Sequence, residues 1–273
     1  MLNFAILASG SSGNCSVLWN EKAAVLIDCG VSAKYIEQTL SFLGLKSKDL
    51  SAAVITHAHI DHISASGLNF LIKNNIPLYS CEDVLSDIFE KYPDKAENCN
   101  ARKRNDGFKI EDINVESFSL YHRDSKISAT LGFTFSSEVA GRKYKIGYVT
   151  DTGKVCKNII KSLADSNILV IESNYDEEML SSSFRPYENK KWVLSEFGHL
   201  SNAACAQAIA EIKISSRAKD SLKYVFLAHL SKHHNYPELA LKVAKDCLSA
   251  QKISGVNVFS AKRNVKSRTI KIA

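Results

Sequence analysis

Short apolar runs and helical periods alternate along this chain in two stretches, with a block of strands between them. Phe4–Ala8, Ser16–Trp19 and Ala23–Cys29 have strand length and are separated by Ser9-Gly10-Ser11-Ser12-Gly13-Asn14 and Asn20-Glu21-Lys22. Turn residues between apolar runs predict an antiparallel meander. Ser32 is placed to cap an amphipathic helix running to about Leu43, with Gly44 at its end. Ala52–Ile55 is apolar at every position and reads as a strand buried on both faces. Helix Ser64–Lys73, strand Pro77–Ser80 and helix Asp83–Tyr92 continue the alternation. Ile113–Tyr121, Leu131–Ser136 and Tyr144–Thr150 then read as strands with little helix between them. The second alternation is helix Lys154–Leu163, strand Ile168–Glu172, helix Ala203–Ile212, strand Lys223–Ala228, helix Pro237–Ala250 and strand Val256–Phe259. Two sheets, each covered on its outside by helices, satisfy this order, because every apolar face needs another layer against it.

Packing does not explain how four of these strands end. Behind Ala52–Ile55 come His57, His59, Asp61 and His62, so that three of the chain's eight histidines stand between positions 57 and 62. In H-x-H-x-D-H the first two imidazoles project the same way, and a carboxylate and a third imidazole follow, which is enough to begin two metal sites. His122, Asp151 and His229 likewise stand just past apolar strands. Strand ends are where α/β folds keep their chemistry. Any one of these residues alone would be an ordinary polar loop residue; together they predict two metal sites sharing a bridging carboxylate.

With 273 residues, 45% of them hydrophobic, one large domain over residues 1–273 is expected. Seven cysteines, odd in number, scattered and without a C-x-x-C pair, indicate neither a disulfide framework nor a cysteine zinc site, so a reduced, cytoplasmic protein is expected. The N-terminus lacks the basic region of a signal peptide, and no stretch has the length of a membrane span, so no membrane partner is expected. The net charge of +6 permits a polyanionic partner. Lys262, Arg263, Lys266, Arg268 and Lys271 supply much of it without an acidic neighbour; taken alone, that tail reads as simply solvated.

Leu26-Ile27-Asp28-Cys29-Gly30, His57-Ala-His59-Ile-Asp61-His62, His122, Asp151 and His229 resemble the metallo-β-lactamase fold over nearly the whole chain. The resemblance implies an α/β (α+β) fold, the four-layer αββα sandwich. Carried over, His57, His59 and His122 hold one metal, Asp61, His62 and His229 the other, and Asp151 lies between them. Asp28 orients the histidine loop. Ala8-Ser9-Gly10-Ser11-Ser12-Gly13-Asn14, Glu172-Ser173-Asn174, Gly198-His199-Leu200-Ser201-Asn202 and His229-Leu230-Ser231-Lys232 look like the bacterial YycJ/WalJ family, double-strand DNA exonucleases working from the 5′ end. Tyr175 stands where that family has histidine after Glu-Ser-Asn, and the loop after His122 is longer and lacks the family's proline.

The implied function is a dinuclear phosphodiesterase acting on DNA. Two divalent ions about 3.5–4 Å apart share a hydroxide and clamp the attacking and leaving oxygens. Nitrogen and oxygen ligands suit Zn2+ and Mn2+ alike. Asp61, itself a ligand, and His199 are the candidate catalytic residues. Ser11, Ser12, Asn14, Ser201 and Asn202 are the candidate substrate-binding residues, the last two capping a helix whose N–H groups face an anion. His233 and His234 read as solvated. Histidine at position 59, where flavodiiron reductases carry glutamate, disfavours redox iron chemistry, while a glyoxalase-type thioesterase or small phosphodiesterase shares the metal motif and is the alternative.

Overall fold

In the computed structural model, which describes residues 1–123, 127–218, 221–263 and 265–272, the two alternations become two seven-stranded sheets. β1 (Leu2–Ala8), β2 (Cys15–Trp19) and β3 (Ala24–Ile27) form the expected antiparallel meander. Ser32 caps α1 (Ala33–Phe42), its hydroxyl accepting from the Tyr35 N–H at 3.2 Å, and the helix returns the chain so that β4 (Ala52–Val54) lies parallel to β3. α2 (Ala65–Lys73), β5 (Leu78–Ser80), α3 (Glu82–Lys91) and β6 (Ala101–Lys103) extend that sheet in parallel. The second sheet begins antiparallel with β7 (Phe108–Ile110), β8 (Ile113–Ser119), β9 (Leu131–Val139) and β10 (Arg142–Val149). It continues in parallel through α4 (Lys157–Leu163), β11 (Ile168–Glu172), α5 (Glu177–Ser182), α6 (Tyr187–Val193), α7 (Asn202–Ser215), β12 (Tyr224–Ala228), α8 (Pro237–Ala250) and β13 (Asn257–Ser260). β14 (Ile270–Ile272) crosses back to pair with β1.

The sheets face each other across a phenylalanine-rich core in which Phe4 of β1 meets Phe226 of β12 at 5.9 Å between ring centroids. Each such ring contributes on the order of 1.5–3 kcal/mol by leaving water. A second core lies outside the second sheet, where Ile160, Leu163, Ile209 and Leu248 of α4, α7 and α8 cover Val225 and Leu227. β4 and β11 are buried at every position, as their unbroken apolar sequences require. Because β3 and β4 run parallel in one sheet, and β10, β11 and β12 in the other, the ends that carry polar residues gather along one edge of the sandwich.

Several elements depart from the sequence pattern. α4 begins at Lys157 rather than Lys154, and β6, β7, β14, α5 and α6 carry no periodicity long enough to announce them. The basic tail is tied down through its backbone while Lys262, Arg268 and Lys271 stay exposed: Ser9 N–H donates to the Lys262 and Arg263 carbonyls at 3.2 and 3.3 Å, Ser267 N–H donates to Ile6 O at 2.7 Å, and β14 is the outer strand of the first sheet. All seven cysteines are free, and among the described residues no helix is long and apolar enough to cross a membrane.

Candidate metal centre

Three residues at this edge, Asp28 after β3, Asp151 after β10 and His229 after β12, adopt φ of 60°, 59° and 53°. Left-handed backbone at a residue other than glycine costs on the order of 1–3 kcal/mol and persists where its surroundings over-determine it. Here it turns each side chain sharply off the end of its strand. Gly30 makes the packing possible on the first sheet: a Cβ there would stand 1.7 Å from the Asp61 carbonyl oxygen. Cys29 N–H can therefore donate to His62 O at 2.7 Å and Asn14 N–H to Asp61 O at 2.6 Å, which fixes the histidine loop against β3.

One potential ligand atom from each of His57, His59 and His122 lies within 4.8 Å of the others, and the same holds for Asp61, His62 and His229. Asp151 joins them, falling into one such group with His57 and His62 and into another with Glu172, His199 and His229. The far sides of the His57, His62, His122 and His229 rings are held. His62 Nδ1 lies 2.7 Å from Asp28 Oδ2, and Thr56 Oγ1 donates to Asp28 while standing 3.1 Å from His57 Nδ1. His122 Nδ1 donates to the Gly198 carbonyl at 2.8 Å, and His229 Nδ1 lies 2.8 Å from Glu172 Oε1. A proton fixed on Nδ1 leaves the Nε2 lone pair aimed inward, the usual support for a ligating imidazole.

Two inward atoms at the centre lack a hydrogen-bond partner. His122 Nε2 and Asp151 Oδ2 are buried without a hydrogen bond. His62 Nε2 and Asp151 Oδ2 stand 2.9 Å apart, although His62 keeps its Nδ1 proton for Asp28. Two acceptors at that separation need a cation between them, a proton or a metal ion. The donor set therefore fits divalent metal.

Electrostatics divides the cluster. Burial, with His62 beside it, holds His57 well below the ordinary imidazole range, and burial likewise lowers His122. Burial alone would lower His62 too, yet the carboxylates of Asp28, Asp151 and Asp61 push it up to about 10. His229 is carried well above its usual value against burial by Asp151, Asp61 and Glu172. Although burial alone would raise Asp61, His62 and His229 hold it down to about 2.

Glu172, given no role in the sequence reading beyond its motif, proves central. Fully buried, it reaches both His229 Nδ1 and His199 Nδ1 at 2.8 Å and accepts from the Thr152 and Leu200 N–H groups at 3.0 and 3.2 Å. A carboxylate ending the apolar run Ile168–Ile171 was the available signal. His199, 15% exposed, is the one ring of this group that opens toward solvent from beside Asp151, at 3.6 Å from its Oδ1. Trp192 of α6 packs its ring 5.5 Å from His122 and 5.4 Å from His199.

Of the expected substrate residues, only Ser11 and Ser12 are exposed, at the tip of the β1–β2 turn. Asn14 points inward instead: Oδ1 accepts from Gly10 N–H at 2.8 Å, and Nδ2 lies 3.3 Å from Asp61 Oδ2 and 2.9 Å from His62 Nε2. Ser201 uses its hydroxyl to cap α7 on Ala204 N–H, and Asn202 is buried, bonded to Ser173 and Asn235. Their polar groups are consumed by the fold. Tyr175 is buried with Leu180 and Val193, and burial pushes its phenol up to about 12, so it stays protonated at neutral pH. His233 is exposed, whereas His234 is buried and 3.3 Å from Ser231 Oγ, contrary to the solvated reading of both. The lengthened loop after His122 includes residues 124–126, outside the described residues.

Residues 23–219 match the family model described as Beta-lactamase superfamily domain. The chain is 31% identical over 242 residues to Exodeoxyribonuclease YycJ of Bacillus anthracis, covering 88% of this chain and 86% of the relative. It is 33% identical over 240 residues to Exodeoxyribonuclease WalJ of Streptococcus pneumoniae, covering 87% and 84%. Among solved structures, the metallo-β-lactamase fold protein YhfI of Bacillus subtilis superposes with a TM-score of 0.70 at 15% identity, covering 98% of this chain and all of that one. With strand-end histidines and carboxylates in two fused clusters and this likeness over most of its length, the chain belongs to the β-lactamase superfamily, as a metal-dependent hydrolase of the metallo-β-lactamase fold in the YycJ/WalJ family.

Proposed function

We propose that the protein is a phosphodiesterase that holds two divalent ions, Zn2+ or Mn2+, and degrades DNA as a 5′-to-3′ exonuclease. His57, His59 and His122 would hold one ion, Asp61, His62 and His229 the other, with Asp151 between them. Bound there, the ions supply Lewis acidity toward phosphate oxygens and activation of water. Asp28, Thr56, Glu172 and the Gly198 carbonyl keep the imidazoles in the ligating tautomer. His199, steadied through Nδ1 by Glu172 at 2.8 Å, presents Nε2 to the open side and delivers a proton to the departing oxygen.

The observation that carries this reading is the placement of His199, a half-open imidazole that touches both the Asp151 and Glu172 carboxylates without belonging to either histidine triad. The α5–α6 hairpin adds a surface of the right chemistry for a strand. Phe184 and Tyr187 are exposed beside Arg185, Lys190 and Lys191, offering faces for bases and cations for phosphates. YycJ and WalJ, alike over most of their length, are exodeoxyribonucleases by name.

The test is His199→Ala, compared on 5′-phosphorylated duplex DNA and on bis-p-nitrophenyl phosphate, whose activated leaving group needs little protonation. Both metals should be retained and the small ester hydrolysed within a few-fold of wild type, while the DNA rate falls on the order of a hundredfold. Equal losses on both substrates would sink the proton-donor role, and turnover of thioesters but not DNA by the wild type would favour a glyoxalase-type hydrolase.

A further inference from the structure

The basic residues near the C-terminus divide on folding: Lys262 is exposed, but Arg263 is half-buried and fixed. Its backbone carbonyl accepts from Ser9 N–H, and its stem lies across the face of Gly10, where Cγ would stand 3.2 Å from a Cβ at that position. Gly10 has φ of 133°, so the gap that admits the arginine stem is one that glycine alone leaves open without strain. One terminal nitrogen donates to the Leu230 carbonyl at 3.2 Å. Among the described residues no carboxylate pairs with this guanidinium, and four of its five N–H donors have no protein acceptor.

The position matters because both anchors are neighbours of the metal centre. Leu230 follows His229, and His229 N–H donates to Ser9 Oγ at 2.8 Å, next to Gly10. The turn from Gly10 leads through exposed Ser11 and Ser12 to Asn14, which contacts Asp61 and His62. A half-buried arginine is costly unless its fork is used, and a planar fork held at both ends of its side chain fits a phosphate in two-pronged fashion with little ordering left to do.

We propose that Arg263, with the hydroxyls of Ser11 and Ser12, forms a subsite for a non-reacting phosphate of the substrate, beside the Asp61–His62–His229 side of the centre. This deepens the phosphodiesterase reading and rests on it for the placement of the reacting phosphate. Such a subsite predicts a preference for substrates with two or more phosphates over simple diesters.

The experiment uses the metal-loaded full chain, with thymidine 3′,5′-bisphosphate as inhibitor of bis-p-nitrophenyl phosphate hydrolysis. Arg263→Ala should raise the inhibition constant of the bisphosphate about ten- to hundredfold, the scale of one charge-assisted fork contact, and leave kcat and KM for the small ester within a few-fold. Arg263→Lys, which keeps the charge without the fork, should show only part of the loss, and Lys262→Ala should leave the inhibition constant at the wild-type value. Inhibition constants unchanged in Arg263→Ala would overturn the subsite. If Arg263→Ala loses metal or melts early, Arg263→Gln, which keeps much of the stem, decides by the same inhibition constant, and a value equal to wild type again overturns it. Should the wild type degrade no DNA while the bisphosphate effect holds, the exonuclease reading fails and the subsite stands. DNA degradation that is indifferent to Arg263, with unchanged inhibition, gives the reverse.

Discussion

Around His57 and His122 the outward ring nitrogens rest on neutral groups, the Thr56 hydroxyl and the Gly198 carbonyl, whereas around His62 and His229 they rest on the carboxylates of Asp28 and Glu172. The first triad contains no carboxylate, and burial lowers the pKa of His57 and His122. The second contains Asp61 and is backed by two further acids, so His62 and His229 hold protons strongly when no ion is present. The same ligand, histidine, is thus prepared in two ways. In one triad His57 and His122 offer bare lone pairs at neutral pH; in the other His62 and His229 offer more basic nitrogens that a metal must take from protons.

The largest expected effect comes from removing what the two halves share. Asp151→Ala should lower turnover by about a thousandfold or more and bring metal content below two per chain, because it leaves two close cations without their common counter-charge. Two ions retained per chain by elemental analysis would show that the halves are independent. Asp28→Asn should act chiefly on the half it contacts directly, weakening the ion at Asp61, His62 and His229 by about 10- to 100-fold, with a smaller effect reaching His57 through Thr56. Stepwise chelation followed by metal analysis reads this directly, and simultaneous loss of both ions would break the contrast. The smallest effect is in pH. His62, near 10 in the metal-free protein, and His229, also raised, carry protons at pH 7, so ion binding at the second triad releases them and tightens as pH rises. His57 and His122, lowered, are already neutral above about pH 6.5, so binding to these two rings should release no protons there. Calorimetry in two buffers of different ionisation enthalpy measures the protons released at each step; equal release at both would remove the distinction.

The cluster of histidines and carboxylates was legible in the sequence because its residues sit where apolar strands stop, and an unbroken apolar run marks its own end. His57, His122, Asp151 and His229 could be found that way, and Glu172 as well had the acid closing Ile168–Ile171 been weighed like the rest, whereas Asp28 came only from the family resemblance. Small polar residues were not legible in the same way. Asn14, Ser201 and Asn202 look like a phosphate wall in the sequence, yet a cap, an internal amide bond and a ligand contact all call for the same side chains, and only the fold decides among them. The edge strand Ile270–Ile272 is three residues long, too short to display a period, and its pairing depends on partners at the other end of the chain, Lys271 lying opposite Asn3, 268 positions earlier. For Arg263 nothing local distinguishes it from its basic neighbours.

That outer pairing has a consequence for the order in which the molecule assembles. Asn3 meets Lys271, Ser9 binds the backbone at Lys262 and Arg263, and His229 depends on Ser9 for its N–H contact, so contacts between opposite ends of the sequence border the metal centre. Closing so long a loop adds little cost at equilibrium, since the entropy grows only with the logarithm of its length, but it delays the search. The histidine loop after β4 forms from residues near one another in sequence, while the seat of His229 waits for the chain to meet itself. The histidine loop is therefore expected to order before His229 is seated, so that activity would appear late in folding, as a property of topology.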